Sequence, residues 1–137
     1  MIRFRSVLLA ALAFSNAGAV GIPHAVTVAD IDWQTSPLDL DLRGMNGERY
    51  AFRCPSGKPQ PSRVAGSNPY TDDSSICTAA VHAGAIHAKD GGDVTIEIRP
   101  GAPSYPASER NYIRSVTYDH TWSGSFVVLM ESTASKP

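Results

Sequence analysis

The run from Tyr70 to Gly84, Tyr-Thr-Asp-Asp-Ser-Ser-Ile-Cys-Thr-Ala-Ala-Val-His-Ala-Gly, constrains the fold more than any other part of the chain. It carries the one sustained helical pattern. Asp73 or Ser74 stands where a side chain can accept from an otherwise orphan backbone N–H at a helix start. Asp72 and Asp73 place negative charge at the positive end of the helix dipole. Gly84 suits the position just past the last turn, where a left-handed backbone wants no Cβ. Ile76, Ala80 and Ala83 recur at i, i+4, i+7, and Cys77, Val81 and Gly84 repeat that spacing beside them. Only a narrow strip, Thr78 and His82, stays polar. A helix apolar over most of its circumference is a buried one, and its small residues let neighbours come close. The pattern predicts a central helix with β-structure packed round it, and Ile76, Ala80, Val81 and Ala83 almost fully buried.

The flanks supply that β-structure. Val26, Val28 and Ile31 alternate with Thr27 and Asp30, a first strand or an extended lead-in within residues 20–37. Leu38, Leu40 and Leu42 alternate with Asp39, Asp41 and Arg43, a half-buried strand pattern despite the low β-propensity of Asp. Asn46-Gly47 is a preferred hairpin turn, and Arg49 to Cys54 follows with Tyr50, Phe52 and Cys54 on one face. These segments read as a β-hairpin. Pro55 to Pro69 is loop, broken by a short extended piece at Arg63 to Ala65. Ala85 and Ile86 suggest a short strand and Asp90-Gly91-Gly92 a turn. Val94, Ile96 and Ile98 point inward from a strand over Asp93 to Arg99. Pro100 to Asn111 holds three prolines without periodicity and reads as a long surface loop. Ile113, Val116 and Tyr118 hint at another strand, and Ser125 to Met130 is an apolar, central one. Residues 131–137 form a polar tail. The fold class is α+β, one helix between antiparallel β-elements.

The front of the chain carries a different pattern. Arg3 and Arg5 precede a short apolar run, Val7 to Phe14, and Ala17-Gly18-Ala19 has small residues where a signal peptidase reads. Residues 1–19 are therefore expected to be a signal peptide, and the chain to be secreted or periplasmic. The apolar run is shorter than the ~20 residues that span a bilayer. Removal of Arg3 and Arg5 leaves 10 basic against 13 acidic residues, a balance that argues against a nucleic-acid partner. About 118 residues then remain, enough for one domain with its own core. Cys54 and Cys77 both lie in that part. Export into an oxidising compartment favours their pairing over two buried thiols. Closing that loop of about 23 residues is worth on the order of 3 kcal/mol in chain-entropy models.

The helix stretch also resembles a known family. Ser74-Ser75-Ile76-Cys77-Thr78-Ala79-Ala80-Val81-His82-Ala83-Gly84, preceded by Val64-Ala65-Gly66-Ser67 and Tyr70, is similar to the signature of the LCCL domain, an extracellular module. Cys54-Pro55-Ser56-Gly57 resembles the family's Cys-Pro-x-Gly. Tyr105 with Asn111, Ile113 and Ser115 resembles its Tyr…Asn-Gly-Ile-x-Ser segment, and Trp122-Ser123-Gly124-Ser125-Phe126 its Trp-Ser-x-Ser-Phe ending. The resemblance covers roughly Leu38 to Val128, and residues 38–130 are taken as the domain. It implies the same α+β fold, with Trp122 at the core edge. The family pattern has four cysteines in two disulfides. The positions expected near Leu38 to Leu42 and around Lys58 hold none here. Tyr112 stands where the family usually has glycine, so Asn111 is expected to take the left-handed position instead.

Few residues invite a catalytic reading. Ser74 and Ser75 sit where caps sit, and no Gly-x-Ser-x-Gly elbow is present. Cys77 and His82 are five residues apart, so on a helix their side chains diverge. His24, His82, His87 and His120 show no metal-ligand spacing. His82 is expected to be a near-core histidine bonded to backbone. No catalytic residue, cofactor or metal is therefore expected. Trp33, Trp122, Tyr105, Tyr112 and Tyr118 are candidates for stacking on a sugar or lipid headgroup, and Arg99, Arg110 and Arg114 flank the long loop and could meet phosphate or carboxylate. The expected contact face is Tyr105 with Arg110, Arg114 and Arg99, with the Tyr105 ring exposed and Arg110 and Arg114 on one side. The resemblance implies an exported binding module for lipopolysaccharide or another anionic glycan or lipid. The alternative is a module for an extracytoplasmic protein, or a cell-envelope structural part, without a small ligand.

Overall fold

The computed structural model describes residues 27–58 and 63–130. The expected signal peptide and the polar tail lie outside the described residues. Seven strands and one helix make up the described chain: β1 (Val28–Asp30), β2 (Arg49–Cys54), β3 (Tyr70–Thr71), α1 (Ile76–Ala83), β4 (Gly92–Ala102), β5 (Glu109–Arg110), β6 (Ile113–Arg114) and β7 (Trp122–Leu129). Five strands form one sheet in the order β1-β2-β4-β7-β3, and β5 and β6 form a separate ribbon. All pairings are antiparallel except β1 with β2. The helix contacts β7 on its sheet side and the β5–β6 ribbon elsewhere on its circumference.

Alternation decides which sheet face meets the helix. Phe52 and Cys54 on β2, Val94, Ile96 and Ile98 on β4, and Phe126 and Val128 on β7 are all buried. Register places Phe52 opposite Val94, and Ile98 opposite Phe126, so these side chains form one apolar face. The other face carries charge, Arg49 and Arg99 both bonding to Glu97 and Arg53 bonding to Asp93. The edge of β7 is closed by a side chain. Val128 N–H donates to Asn68 Oδ1 at 2.8 Å, and Asn68 Nδ2 donates to the Val128 carbonyl at 3.2 Å, so the Asn68 amide imitates a further strand.

Several expectations need correction. Leu38 to Arg43 is not a strand and forms no hairpin with β2. The N–H groups of Leu40 and Leu42 both donate to the Pro37 carbonyl, and Asp41 is left-handed, with φ 60. Two aspartates in six residues, Asp39 and Asp41, favour this coiled path over a ladder. The helix is shorter at its start, because Tyr70–Thr71 pairs with β7 as β3. Ser75, rather than Asp73 or Ser74, is the cap, its side chain accepting from Thr78 N–H. Ser74 instead accepts from Ala65 N–H, which ties the preceding segment down. Ile76, Ala80 and Val81 are buried as expected, but Ala83 is only half-buried, at the helix end. Thr78 and His82 are buried too, His82 beneath Tyr70 of β3 and Ser108 just before β5. Ala85 and Ile86 belong to no strand. The expected loop over Pro100–Asn111 is shorter than expected, with β4 running on to Ala102 and β5 starting at Glu109, so that loop remains only between them. Gly84 caps the helix in the left-handed region at φ 91, its N–H reaching the carbonyls of Ala80 and Val81.

Candidate functional site

The helix is fastened at both ends. Cys77, in its first turn, forms a disulfide with Cys54 at the end of β2. His82, in its last turn, is fully buried. Its Nδ1 lies 2.8 Å from the Tyr70 hydroxyl and its Nε2 lies 3.2 Å from the Ser108 carbonyl. A carbonyl only accepts, so Nε2 carries the proton and Nδ1 accepts from Tyr70. Ser108 Oγ is also near, at 3.3 Å. The tautomer leaves Nε2 unable to take that hydroxyl proton, so the pair is not a nucleophile and its base. Burial, then the positive charge of Arg110, holds the His82 pKa below its ordinary value, with the Ser108 carbonyl working the other way. Burial raises the pKa of Tyr70. His82 thus joins helix, sheet and ribbon through polar contacts.

A second buried group lies at the start of β7. Asp72 takes two hydrogen bonds from Arg43, each 2.8 Å, and one from Trp122 Nε1 at 2.8 Å. Burial would raise the pKa of this carboxyl, but the Arg43 and Trp122 bonds outweigh it and hold it below the usual range. A Cβ on Gly124 would overlap the Asp72 carboxylate, so the close approach needs glycine. Arg43 also lies over the Trp122 ring, 5.5 Å from its centroid, and Tyr118 meets that ring edge-on. Trp122, expected at the core edge, is half-buried between Arg43 and Tyr118. The Arg43–Asp72 pair is invisible in the sequence, because nothing local links positions so far apart.

The structure does not assemble the expected contact face. The Tyr105 ring is buried, with 0% exposure. Its hydroxyl accepts from Ala102 N–H at 2.8 Å and donates to the Trp122 carbonyl at 3.2 Å. Its backbone bridges to Tyr118. Tyr105 therefore pins the loop instead of presenting a ring. Arg99 extends from the charged face of the sheet and bonds to Glu97, on the side away from the helix. Arg110 and Arg114 are exposed. Glu109 pairs with Arg114 and Arg110 with Ile113, so side-chain alternation sends the two arginines to opposite faces of the ribbon. Arg114 bonds to Glu109 at 3.0 Å, whereas Arg110 has no ion-pair partner among the described residues.

The ribbon's tip is the unusual feature. Asn111 and Tyr112 both lie in the left-handed region, at φ 52 and φ 65, so the turn does not confine that conformation to Asn111 as the sequence suggested. Asn111 is anchored, its Nδ2 donating to the His82 carbonyl at 2.9 Å. Tyr112 is 100% exposed. Beside it lies a groove of about 610 Å³ between the tip and the turn that follows the helix. Val81, Ile86, Ala88 and Ile113 supply its apolar lining, and Lys89 and Asp90 are among its polar residues. The sequence offered one signal for this site, an aromatic residue in a position where glycine is usual. Among the described residues, no group of three or more His, Cys, Asp or Glu is placed to hold a metal ion.

Comparison with known proteins gives consistent matches. The LCCL domain family model matches residues 31–126, which include both cysteines, the helix and the ribbon. The chain is 37% identical over 121 residues to cochlin of Cavia porcellus, covering 88% of this chain and 20% of that protein. It is 37% identical over 99 residues to human cysteine-rich secretory protein LCCL domain-containing 2, covering 66% of this chain and 19% of that protein. Against human vitrin the identity is 33% over 81 residues, with 58% and 12% covered. The chain thus spans a fifth or less of the length of these curated relatives.

Proposed function

The chain belongs to the LCCL domain family, and we propose that it acts outside the cytoplasm as a binding module for an anionic glycan or lipid headgroup such as that of lipopolysaccharide, with the β5–β6 ribbon as its contact face. The observation that carries this reading is Tyr112. A bulky residue in the left-handed region costs about 1–2 kcal/mol, and full exposure returns no packing to offset it. Strain of this kind gathers at functional sites. Arg110 supports the anionic character of the ligand, being an exposed cation on the ribbon without an ion-pair partner among the described residues. Arg114, tied to Glu109 on the opposite face, is a bystander in this reading.

Co-sedimentation of the purified protein with lipopolysaccharide tests it. Binding should weaken several-fold between about 0.05 M and about 0.5 M salt, because exposed charges are screened. Arg110→Ala should reduce binding and Arg114→Ala should not. Binding that ignores salt and Arg110 would overturn the reading. A second reading, a protein partner, draws on one observation. Leu38, Leu40 and Met45 are all substantially exposed along one loop. Pull-down of an envelope protein that is lost in Leu38→Ser with Leu40→Ser, alongside absent lipopolysaccharide binding, would favour it.

A further inference from the structure

The groove beside Tyr112 has features that the ribbon alone does not explain. Its size falls within the ~300–1,000 Å³ common for small-ligand sites, at about 610 Å³. Its floor is formed by Val81 from the last helical turn, Ile86 and Ala88 from the following turn, and Ile113 from β6. Its walls are held from both sides. Asn111 is bonded to the helix through the His82 carbonyl, and the 87–91 turn is closed by Asp90 and Gly91 N–H groups donating to the His87 carbonyl. The backbone that carries Tyr112 is therefore held at the rim, with its ring open to solvent.

Charge selects the kind of ligand. Lys89 lines the groove and has no ion-pair partner among the described residues. Arg110 lies across the ribbon from Ile113, itself a lining residue. The lining itself holds one cation, Lys89, and one carboxylate, Asp90, and Arg110 stands just outside it on the Ile113 side of the ribbon. An anionic group is favoured on the Lys89 side. The remainder of the ligand must present an apolar face to the tyrosine ring and the aliphatic floor. It must also present hydroxyl edges to Asp90, His87 and Asn111. A pyranose ring meets both demands, with C–H groups across its faces and hydroxyls at its edge.

We propose that this groove is a subsite for a single anionic pyranose, whose ring stacks on Tyr112 and whose carboxylate or phosphate pairs with Lys89 and Arg110. The assignment rests on the ribbon being the contact face, and goes beyond it by naming the groove, the sugar class and Lys89. Glucuronate and glucosamine 1-phosphate share the required chemistry and distinguish a carboxylate source from a phosphate source.

The test is an amide-shift titration of isotope-labelled protein with each of these two sugars and with neutral N-acetylglucosamine. Saturable shifts confined to 86–90 and 111–113 are expected with at least one acid, and its preference over the neutral sugar should be about tenfold. Tyr112→Gly should weaken binding by about tenfold or more while its thermal midpoint is not lowered, since glycine suits the left-handed position. Tyr112→Phe should bind as the unaltered protein does, Lys89→Gln should reduce the preference for the acid, and Lys89→Gln with Arg110→Gln should erase it. No saturable shift with either acid would overturn the subsite, as would unchanged affinity in Tyr112→Gly. If lipopolysaccharide co-sediments while these amides stay silent, the subsite falls and the module reading stands. If the acids bind here and lipopolysaccharide does not co-sediment, the lipopolysaccharide reading falls and the subsite stands.

Discussion

Tyr105 and Tyr112 lie in one segment between β4 and the bridge at Tyr118, and their environments are opposite. Tyr105 has 0% exposure and Tyr112 has 100%. The backbone at Tyr105 is held by reciprocal bonds with Tyr118, Tyr105 N–H donating at 2.7 Å and Tyr118 N–H at 2.9 Å. That pairing directs the ring inward, where Ala102 N–H and the Trp122 carbonyl satisfy its hydroxyl. At Tyr112 the chain reverses in a tight left-handed turn. A side chain at such a tip has no neighbouring strand to lie on. The same residue type thus stabilises the fold in one place and is presented to solvent in the other. Residue chemistry alone does not separate a pinning tyrosine from a binding one; the backbone pairing around it does.

The largest expected effect falls on the pinning side of this contrast. Tyr105→Ala should lose about 3–5 kcal/mol of stability, in the range for deleting a buried aromatic. Denaturant unfolding measures it, and a loss below about 1 kcal/mol would mean that the ring does not hold the loop. Next comes the disulfide between Cys54 and Cys77, residues 23 apart. Replacing both cysteines by serine should lower stability by about 2–4 kcal/mol, read from the same unfolding curves.

A smaller effect sharpens the contrast between the fastened helix and the open ribbon. The His82 pKa is depressed in the fold by burial and Arg110. The unfolded chain binds a proton near pH ~6.5, so neutral His82 contributes stability above that pH. The contribution is lost as pH falls from about 6.5 towards the depressed folded value. The thermal midpoint should therefore drop between pH 7 and pH 5, and His82→Gln should flatten that slope. The carboxyls of Asp72, Asp93 and Glu97, all held below the usual carboxylate range, titrate below this window. An unaltered slope in His82→Gln would place the acid sensitivity elsewhere.

The smallest effect has the opposite sign. Tyr112→Gly should gain about 0.5–1 kcal/mol, the left-handed penalty less the extra chain entropy of glycine. A loss of stability in calorimetry would show that Tyr112 packs in solution and that the comparison with Tyr105 is false.

Legibility tracked how local the determining contacts are. β2 matched the sequence pattern residue for residue, because its alternation and the partner alternation on β4 reinforce each other. The left-handed cap at Gly84 was legible for the same reason, since it needs only one residue type at one place. Leu38 to Arg43 shows the reverse. Its alternation mimicked a strand, yet the Pro37 carbonyl and the left-handed Asp41 wound it into turns, and Arg43 went to Asp72 instead. At the candidate site, Arg110 and Arg114 were legible as exposed basic residues but not as pointing apart. Their directions follow from the β5–β6 register. The groove was not legible, because Val81, Lys89 and Tyr112 come from separate parts of the chain that meet where the ribbon packs on the helix.

The buried helix, its glycine stop, the family and the pairing of the two cysteines were all readable from the residues alone. Each of these depends on residue type, spacing or count. The cap at Ser75, the burial of Thr78 and His82, the inward turn of Tyr105 and the exposure of Tyr112 above a groove came from the folded chain. Those outcomes depend on which backbone groups pair across the fold. Every buried N–H and carbonyl must find a partner, and the ribbon settles where that partnering leaves its side chains. At the tip, the Asn111 amide holds the turn against the His82 carbonyl of the helix, and the tyrosine beside it faces solvent.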